Sequence, residues 1–319
     1  MGGHVPVMVA EVMGLLGLRP GEVYADCTAG LGGHAVEAAR RVGLRGTVVL
    51  NDLDAGNLER AAGAVRKVCG GDGGGVPRVV RFQGNFAELP RRMEAEGLAA
   101  DAVLADLGFA SVQVEDASRG FSFMREGPLD MRYDASVGSS AAELVNGLPE
   151  DELASILREY GEEREAGRIA RKLVAERAVE PISTTQRLAG IVRSVCGRSG
   201  GGIDPATRTF QALRIAVNDE LGSLHGLLRA VERAAQSVAA GSASWLAPGG
   251  RVAVISFHSL EDRPVKRAFA SLVDRGLACS LTRGHVGPGD AEVEANPRAR
   301  SAKVRAIAIG GAAGDDRRR

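Results

Sequence analysis

The fold follows from one short segment near the N-terminus, Tyr24-Ala25-Asp26-Cys27-Thr28-Ala29-Gly30-Leu31-Gly32-Gly33-His34. Its pattern is typical of the end of a strand, a glycine turn and the start of a helix. Val36, Ala39 and Val42 follow at the spacing of a helix that packs back on a sheet. Such a turn aims free N–H groups at a bound ligand, although a plain tight turn has the same residues.

An acidic residue at the end of the next apolar run strengthens the ligand interpretation. Asp52 follows the run 47–51 and lies 22 residues after Gly30. An acid at the tip of the second strand can accept hydrogen bonds from ribose hydroxyls. Together, the turn and Asp52 predict a nucleoside cofactor bound by a doubly wound α/β domain. They leave the identity of the cofactor open.

The composition is ordinary for a globular protein, and its balanced charge does not by itself indicate a nucleic-acid partner. The chain has 319 residues, of which 45% are hydrophobic, and it carries 40 basic and 40 acidic residues. The four cysteines lie far apart and form no pair with metal-ligand spacing, which predicts reduced thiols and no metal site. We also expect no membrane contact, because no apolar run approaches spanning length and no secretory signal is visible.

Strands and helices alternate over the first hundred residues, which predicts a parallel sheet. The predicted strands cover 23–27, 47–51, 78–82 and 101–108. Ligands bind at the carboxyl ends of such strands. Four residues fall at or just beyond these ends, namely Asp26, Asp52, Phe86 and Asp106. Any one of them could be a solvated loop residue, but their shared edge favours a binding site.

The α/β rhythm stops after Asp106 and resumes near residue 208. We therefore predict an α/β domain from 1–115 and 208–319, and an α-helical insertion at 116–207. Apolar residues three or four apart from Phe210 to Val231 predict one long helix. Three polar residues share its neighbouring stripe and could face one ligand together, although a polar helix edge is the commoner explanation: Gln211, Arg214 and Asn218.

The C-terminal segment is basic. Residues 296–305 carry four positive charges and no acid, at Arg298, Arg300, Lys303 and Arg305. A run of charges is usually solvated surface. Because this one borders the predicted ligand edge, we also consider contact with phosphate groups. The alternation from Lys303 to Ile309 predicts a final strand.

Long sequence blocks run nearly end to end in a fixed order. They comprise His4-Val5-Pro6-Val7, Gly32-Gly33-His34, Asp106-Leu107-Gly108, Arg119-Gly120-Phe121-Ser122-Phe123, Pro128-Leu129-Asp130-Met131-Arg132, Tyr160-Gly161-Glu162-Glu163-Arg164, Pro205–Arg214, Ile255–Arg263 and Asn296–Ser301. With these blocks the chain resembles the small-subunit ribosomal RNA cytosine-N4 methyltransferase family of bacteria, chloroplasts and mitochondria. The sequence departs from the family pattern at Ala29, Leu31, Ala110, Val112 and Asp204.

The resemblance implies a class I S-adenosylmethionine-dependent methyltransferase with an inserted helical substrate domain. Its implied reaction is methylation of the exocyclic amine of a decoding-centre cytosine in 16S-type RNA within a ribosomal particle. By motif match, the implied cofactor contacts are Gly32, Gly33, His34, Asp52, Phe86, Asp106 and Gln113. The compartment is bacterial cytoplasm or, alternatively, chloroplast stroma or mitochondrial matrix. The oligomeric state stays open, with a dimer as one option.

The chemistry suggests roles for several further residues. Asp106 is our candidate to accept a hydrogen bond from the reacting amine. A flipped base needs a stacking face and a partner for its phosphate, which Phe121, Phe123 and Arg119 supply. The alternative is that both rings anchor the core of the insertion.

Two other classes of function share parts of this pattern. A nicotinamide-dependent oxidoreductase would share the glycine turn and Asp52, but the full G-x-G-x-x-G is absent. A non-catalytic ribosome-assembly factor would keep the fold and the basic surface around an inactive pocket. The intact Asp26, Asp52 and Asp106 favour the enzyme.

Overall fold

The computed structural model describes residues 6–70, 75–108, 116–197 and 204–310. The chain forms two compact units, one from Met1–Gly108 with Gly222–Arg319 and the other from Phe109–Leu221. Within the described ranges, no helix combines the length and the apolar character needed to span a membrane.

The first unit is built on a seven-stranded sheet. Its strands are β1 (Val23–Asp26), β2 (Thr47–Asp52), β3 (Arg78–Gln83), β4 (Ala100–Asp106), β5 (Leu246–Ser256), β6 (Ala278–Ser280) and β7 (Lys303–Ile309). They lie in the order β3-β2-β1-β4-β5-β7-β6. The first five pair in parallel, whereas β7 runs antiparallel to β5 and β6. The four predicted parallel strands and the final strand are confirmed.

Helices cover both faces of this sheet, as expected for a doubly wound fold. They are α1 (Val9–Leu16), α2 (Gly33–Val42), α3 (Ala55–Cys69), α4 (Leu89–Ala95), α10 (Glu220–Ala239), α11 (Ser259–Asp274) and α12 (Asp290–Ala295). The first three bury apolar residues in one core. Residues of α4, α10 and α11 form a second core, which also contains Trp245. The predicted fold class is confirmed.

The second unit is helical and has its own core. Its helices are α5 (Ala141–Gly147), α6 (Glu150–Gly161), α7 (Ala166–Arg177), α8 (Thr185–Cys196) and α9 (Ala206–Asn218). Leu153, Leu157, Ile169 and Leu188 are fully buried in it. The break between α7 and α8 contains Pro181.

The prediction of one long helix from Phe210 to Val231 is wrong. The chain forms two helices there, because Asp219 adopts a left-handed conformation with φ of 46° and ends α9. The helical unit consequently includes α9, which the sequence assigns to the other domain. This helix packs closely on α6, since a Cβ at Gly161 would lie 2.8 Å from the carbonyl oxygen of Arg208.

Candidate active site

The glycine turn after β1 is shaped by packing. Gly30 and Gly32 have φ angles of 52° and 85°, which favour glycine. A Cβ at Gly32 would lie 2.7 Å from Cα of Ala61 in α3, and one at Gly33 would lie 2.6 Å from Cγ of Pro6. Glycine at these two positions therefore allows neighbouring elements to approach the turn.

The start of α2 offers main-chain donors. The N–H groups of the first turn, which include Gly33 and His34, have no acceptor within a helix and suit a polar ligand. The ring of His34, in contrast, is buried, and its Nε2 lies 2.9 Å from the carbonyl oxygen of Val7. If His34 contacts the cofactor as predicted, its main chain is the available part.

Asp52 ties the turn to the start of α3. Its Oδ2 accepts a hydrogen bond from the N–H of Gly30 at 2.8 Å. Its Oδ1 accepts from the N–H of Asp54 at 2.9 Å and from Nδ2 of Asn57 at 3.3 Å. Burial raises the pKa of this carboxyl group, and the N–H donors of Asp54 and Gly30 oppose that rise. Since a carboxylate oxygen accepts about two hydrogen bonds, Oδ2 can still accept one from a ribose hydroxyl.

The preceding residue, Asn51, connects two loops at the same edge and has no role in the sequence-based prediction. Its Nδ2 donates to the carbonyl oxygens of Cys27 and Gly84, both at 3.0 Å. The side chain thereby holds the end of β1 against the loop after β3. Its position next to Asp52 is the only sequence signal for this function.

Asp106 ends β4 next to the glycine turn. Its N–H donates to Oγ1 of Thr28 at 2.8 Å, so the tips of β1 and β4 are joined at this point. The following residue continues the pairing with β5, since the N–H of Leu107 donates to the carbonyl oxygen of Ile255 at 3.0 Å. Asp106 is partly exposed at the carboxyl edge of the sheet, and its Oδ1 lies 3.5 Å from the N–H of Gly108.

Phe86 lies just beyond β3, at the start of a short 3₁₀ helix, Phe86–Glu88. Asn85 caps this helix through a hydrogen bond from the N–H of Ala87 to its Oδ1 at 2.9 Å, and its Nδ2 donates to Oγ of Ser223 at 2.6 Å. Phe86 is partly buried against the core that contains α4. The contacts of Asn85 hold the loop that carries Phe86 near the edge where the cofactor is predicted.

Asp26 is buried at the end of β1. Its carboxylate accepts hydrogen bonds from the hydroxyl of Tyr24 and from the N–H of Thr28, each at 3.1 Å. Burial raises its pKa from the usual 3.8 to about 6, against the lowering effect of the His34 charge and of these two donors. The charge of Asp106 raises it further. Asp26 thus supports the tip of β1 from inside.

The aromatic residues predicted to hold RNA pack within the helical unit. The rings of Phe121 and Tyr133 stack with centroids 5.4 Å apart. Phe123 meets Phe210 edge to face at 4.9 Å. Nη2 of Arg119 donates to the carbonyl oxygen of Tyr133 at 2.8 Å, and to that of Arg132 at 3.2 Å. All three side chains therefore help to shape the segment 119–133, and their contact with RNA stays a prediction.

The polar stripe of α9 also has partners in this unit. Arg214 forms a two-pronged ion pair with Glu220, with N–O distances of 2.8 and 2.9 Å. The side chain of Asn218 accepts from the N–H of Tyr133 and donates to the carbonyl oxygen of Met131, both at 2.8 Å. Gln211 donates to the carbonyl oxygen of Tyr160 at 3.1 Å. The stripe thus fastens α9 to its neighbours.

Three of the four basic residues in the C-terminal segment are at least partly exposed. Arg298 and Arg300 are exposed on the 3₁₀ helix Pro297–Ser301, and Lys303 is partly exposed at the start of β7. Arg305, in contrast, is buried and pairs with Asp262 at 2.7 Å. Phosphate contact by the first three stays a prediction, and Gln113 lies outside the described residues.

The sequence matches the MraW methylase family over residues 1–309. The chain belongs to this family. Proteins named ribosomal RNA small subunit methyltransferase H are 45% identical in Methylobacterium sp. (strain 4-46) and 42% identical in Acidobacterium capsulatum. The alignments cover 95% of this chain in both cases, and 90% and 97% of the respective relatives. As an MraW methylase, the protein has the class I methyltransferase fold and uses S-adenosylmethionine as its cofactor.

The strand tips fit this cofactor. Asp52 retains an acceptor for a ribose hydroxyl, the start of α2 offers N–H groups, and Phe86 supplies an apolar surface. A Cβ at Gly30 would meet nothing nearer than 3.9 Å, so the turn leaves open space on that side. The predicted cofactor contacts Gly32, Gly33, His34, Asp52, Phe86 and Asp106 lie on this turn or at these strand ends, and their contact with S-adenosylmethionine stays a prediction.

Proposed function

We propose that this protein methylates the N4 amine of a decoding-centre cytosine in small-subunit ribosomal RNA, at the position conventionally numbered 1402. The observation that carries the proposal is the partly exposed Asp106 at the tip of β4, whose main-chain N–H is bonded to Thr28 of the glycine turn. The RNA assignment draws on the relatives, which are named as ribosomal RNA small subunit methyltransferases.

The reaction needs careful positioning of a weak nucleophile. The lone pair of a cytosine amine is conjugated with the ring, so alignment with the methyl group supplies much of the rate. Bound S-adenosylmethionine supplies an electrophilic methyl group on a sulfonium. In our proposal, the Asp106 carboxylate and neighbouring carbonyls accept hydrogen bonds from the amine as its nitrogen becomes tetrahedral.

The RNA contacts are the second part of the proposal. In our proposal, Phe121 and Phe123 stack on the flipped RNA base, and Arg119 lies near the phosphate of that nucleotide. Replacing each phenylalanine with leucine keeps burial but removes the aromatic face. A loss of methyl transfer at unchanged stability would support stacking. Unchanged transfer in both variants would assign the rings to packing, leaving Gln211, Arg214 and Asn218 as candidates.

Mass spectrometry of small-subunit RNA tests the function. We expect N4-methylcytosine at the proposed position to vanish in cells that lack the protein and to return with the wild-type gene. An Asp106→Asn gene should not restore it. If the modification persists in the deletion strain, the proposed reaction is wrong. If Asp106→Asn restores growth or particle assembly without methylation, the protein also acts as an assembly factor.

The cellular setting is bacterial cytoplasm in this proposal, because the relatives named above come from bacteria and the substrate is a ribosomal particle. The chloroplast stroma and the mitochondrial matrix are the alternatives. The proposal needs no metal and no membrane, and it leaves the oligomeric state open.

A further inference from the structure

The pairing between β1 and β4 changes character at the candidate catalytic residue. The N–H of Cys27 donates to the carbonyl oxygen of Leu104 at 2.8 Å. In a regular parallel ladder, the carbonyl oxygen of Cys27 would then accept from the N–H of Asp106. Nδ2 of Asn51 donates to that carbonyl instead, at 3.0 Å. The N–H of Asp106 donates to the hydroxyl of Thr28 at 2.8 Å.

Thr28 is also held through its main chain. The main-chain N–H of Thr28 donates to Oδ1 of Asp26 at 3.1 Å. Asp26 is buried and also accepts from the hydroxyl of Tyr24. Thr28 is thus held by the buried core of the sheet on one side, and it fixes the main chain of Asp106 on the other.

We propose that Thr28 is a positioning residue for methyl transfer, whose hydroxyl sets the place of the Asp106 main chain and therefore of its carboxylate. The inference rests on the proposed function, in which Asp106 accepts a hydrogen bond from the amine. If the hydroxyl of Thr28 were only structural, it would stabilise the sheet and its removal would leave kcat for methyl transfer unchanged. A positioning hydroxyl changes that rate, because misplacement of about 1 Å can cost roughly a hundredfold.

Matched variants separate these two roles. Thr28→Val keeps the branched shape and removes the hydroxyl, whereas Thr28→Ser keeps the hydroxyl. Thr47→Val makes the same change at the amino end of β2, where the hydroxyl has no hydrogen-bond partner among the described residues. The assay follows tritium transfer from S-adenosylmethionine to small-subunit particles from cells that lack the protein.

We expect Thr28→Val to lower kcat by roughly tenfold to a hundredfold, with KM for S-adenosylmethionine within about threefold of wild type. Thr28→Ser and Thr47→Val should keep kcat within about threefold. An unchanged kcat in Thr28→Val overturns the inference, and so does an equal loss in Thr28→Ser. A loss confined to KM also overturns it, since the residue would then act in cofactor binding.

Hydrogen exchange of the Asp106 amide tests the same contact without any methylation assay. Measured by NMR on the full chain, exchange should be at least about tenfold faster in Thr28→Val and unchanged in Thr47→Val. Equal exchange in Thr28→Val and wild type overturns the inference. An inactive wild-type protein would contradict the proposed function alone, and the exchange result would still decide whether Thr28 holds Asp106.

Discussion

The strand tips of the sheet and the segment 119–133 of the helical unit both carry predicted site residues, but they use their polar groups differently. At the strand tips, Asp52 keeps an acceptor for a ligand, and Asp106 stays partly exposed. In the helical unit, Arg214 and Asn218 are engaged with neighbouring side chains and carbonyls. We therefore expect changes at the tips to impair binding and catalysis, and changes in the helical unit to impair stability first.

The largest effect should follow from Asp106→Asn. Asparagine removes the negative charge and one of the two acceptor oxygens that face the amine. This loss should lower the rate of methyl transfer by roughly 10²- to 10⁴-fold, the range for acid–base groups. Initial rates with small-subunit particles measure this, with thermal unfolding as a check on folding. Asp274→Asn, at the exposed end of α11, is the matched control. A rate within threefold of wild type would remove Asp106 from the reaction.

In the helical unit, Arg214→Met should lower the free energy of unfolding by about 3 kcal/mol. The side chains of Arg214 and Glu220 are only 13% and 11% exposed, so the variant leaves a largely buried carboxylate without its cation. Urea denaturation measures the change. Arg168→Met breaks an exposed pair with Glu165 and should cost under about 1 kcal/mol. Unchanged stability with a raised KM for RNA would instead support the RNA contact.

The buried acid at the tip of β1 predicts a dependence of stability on pH. Because the folded-state pKa of Asp26 is raised from 3.8 to about 6, the folded state binds the extra proton between these values. Its contribution to stability is therefore lost as the pH rises from about 4 to 6, by about 3 kcal/mol at most.

The Asp26→Asn variant tests this contribution, since it cannot ionise. Relative to wild type, the variant should gain stability as the pH rises through this window, in urea titrations at pH 4, 5, 6 and 7. Carboxyl groups with lowered pKa, such as Asp204 and Asp262, lose their stabilising effect only below the usual pKa and do not disturb the comparison. Parallel stability curves for both proteins would show that folding does not raise the pKa of Asp26.

Asp52→Ala should weaken S-adenosylmethionine binding by about 1.5–3 kcal/mol, the scale of a charged hydrogen bond. Part of the loss comes from the glycine turn, because Asp52 also accepts from the N–H of Gly30. Isothermal calorimetry measures the affinity. Asn57→Ala removes one hydrogen bond to Oδ1 and leaves the carboxylate in place, so its effect should be smaller. Equal affinity in Asp52→Ala and wild type would exclude a ribose contact.

The smallest effect concerns the basic tail. Replacing Arg298, Arg300 and Lys303 with alanine should raise KM for RNA and flatten its dependence on salt, since each lost phosphate contact lowers the slope by roughly 0.7–0.9. Cofactor affinity should not change. A control triple removes Arg66, Lys67 and Arg91, which are exposed on α3 and α4. The same salt slope in both triples would make the tail ordinary solvated surface.

The sequence predicts the sheet edge better than the contacts of the helical unit, for a physical reason. Apolar runs that end in Asp26, Asp52 and Asp106 reveal strand tips, and parallel pairing then places these tips at one edge. The partner of Asn218, in contrast, is the main chain of Tyr133, 85 residues earlier. Spacing along one helix carries no information about such a partner.

The break at Asp219 also has little signal in the sequence. The apolar spacing continues from Phe210 to Val231 without interruption, which favours a single helix. A left-handed residue is most often glycine, and an aspartate in this conformation leaves no clear signal. The hydrogen bond to the hydroxyl of Thr28 is likewise not predictable from the sequence, since its partner lies 78 residues away.

The two edges of the sheet have a consequence for self-association. An unpaired strand edge is a template on which a second chain can add a strand. One edge here is β6, only three residues long, and the other is β3, which carries Arg78 and Arg81. Short and charged edges both discourage strand addition. A dimer of this protein should therefore join through helical surfaces, and its sheet should be protected against edge-to-edge aggregation.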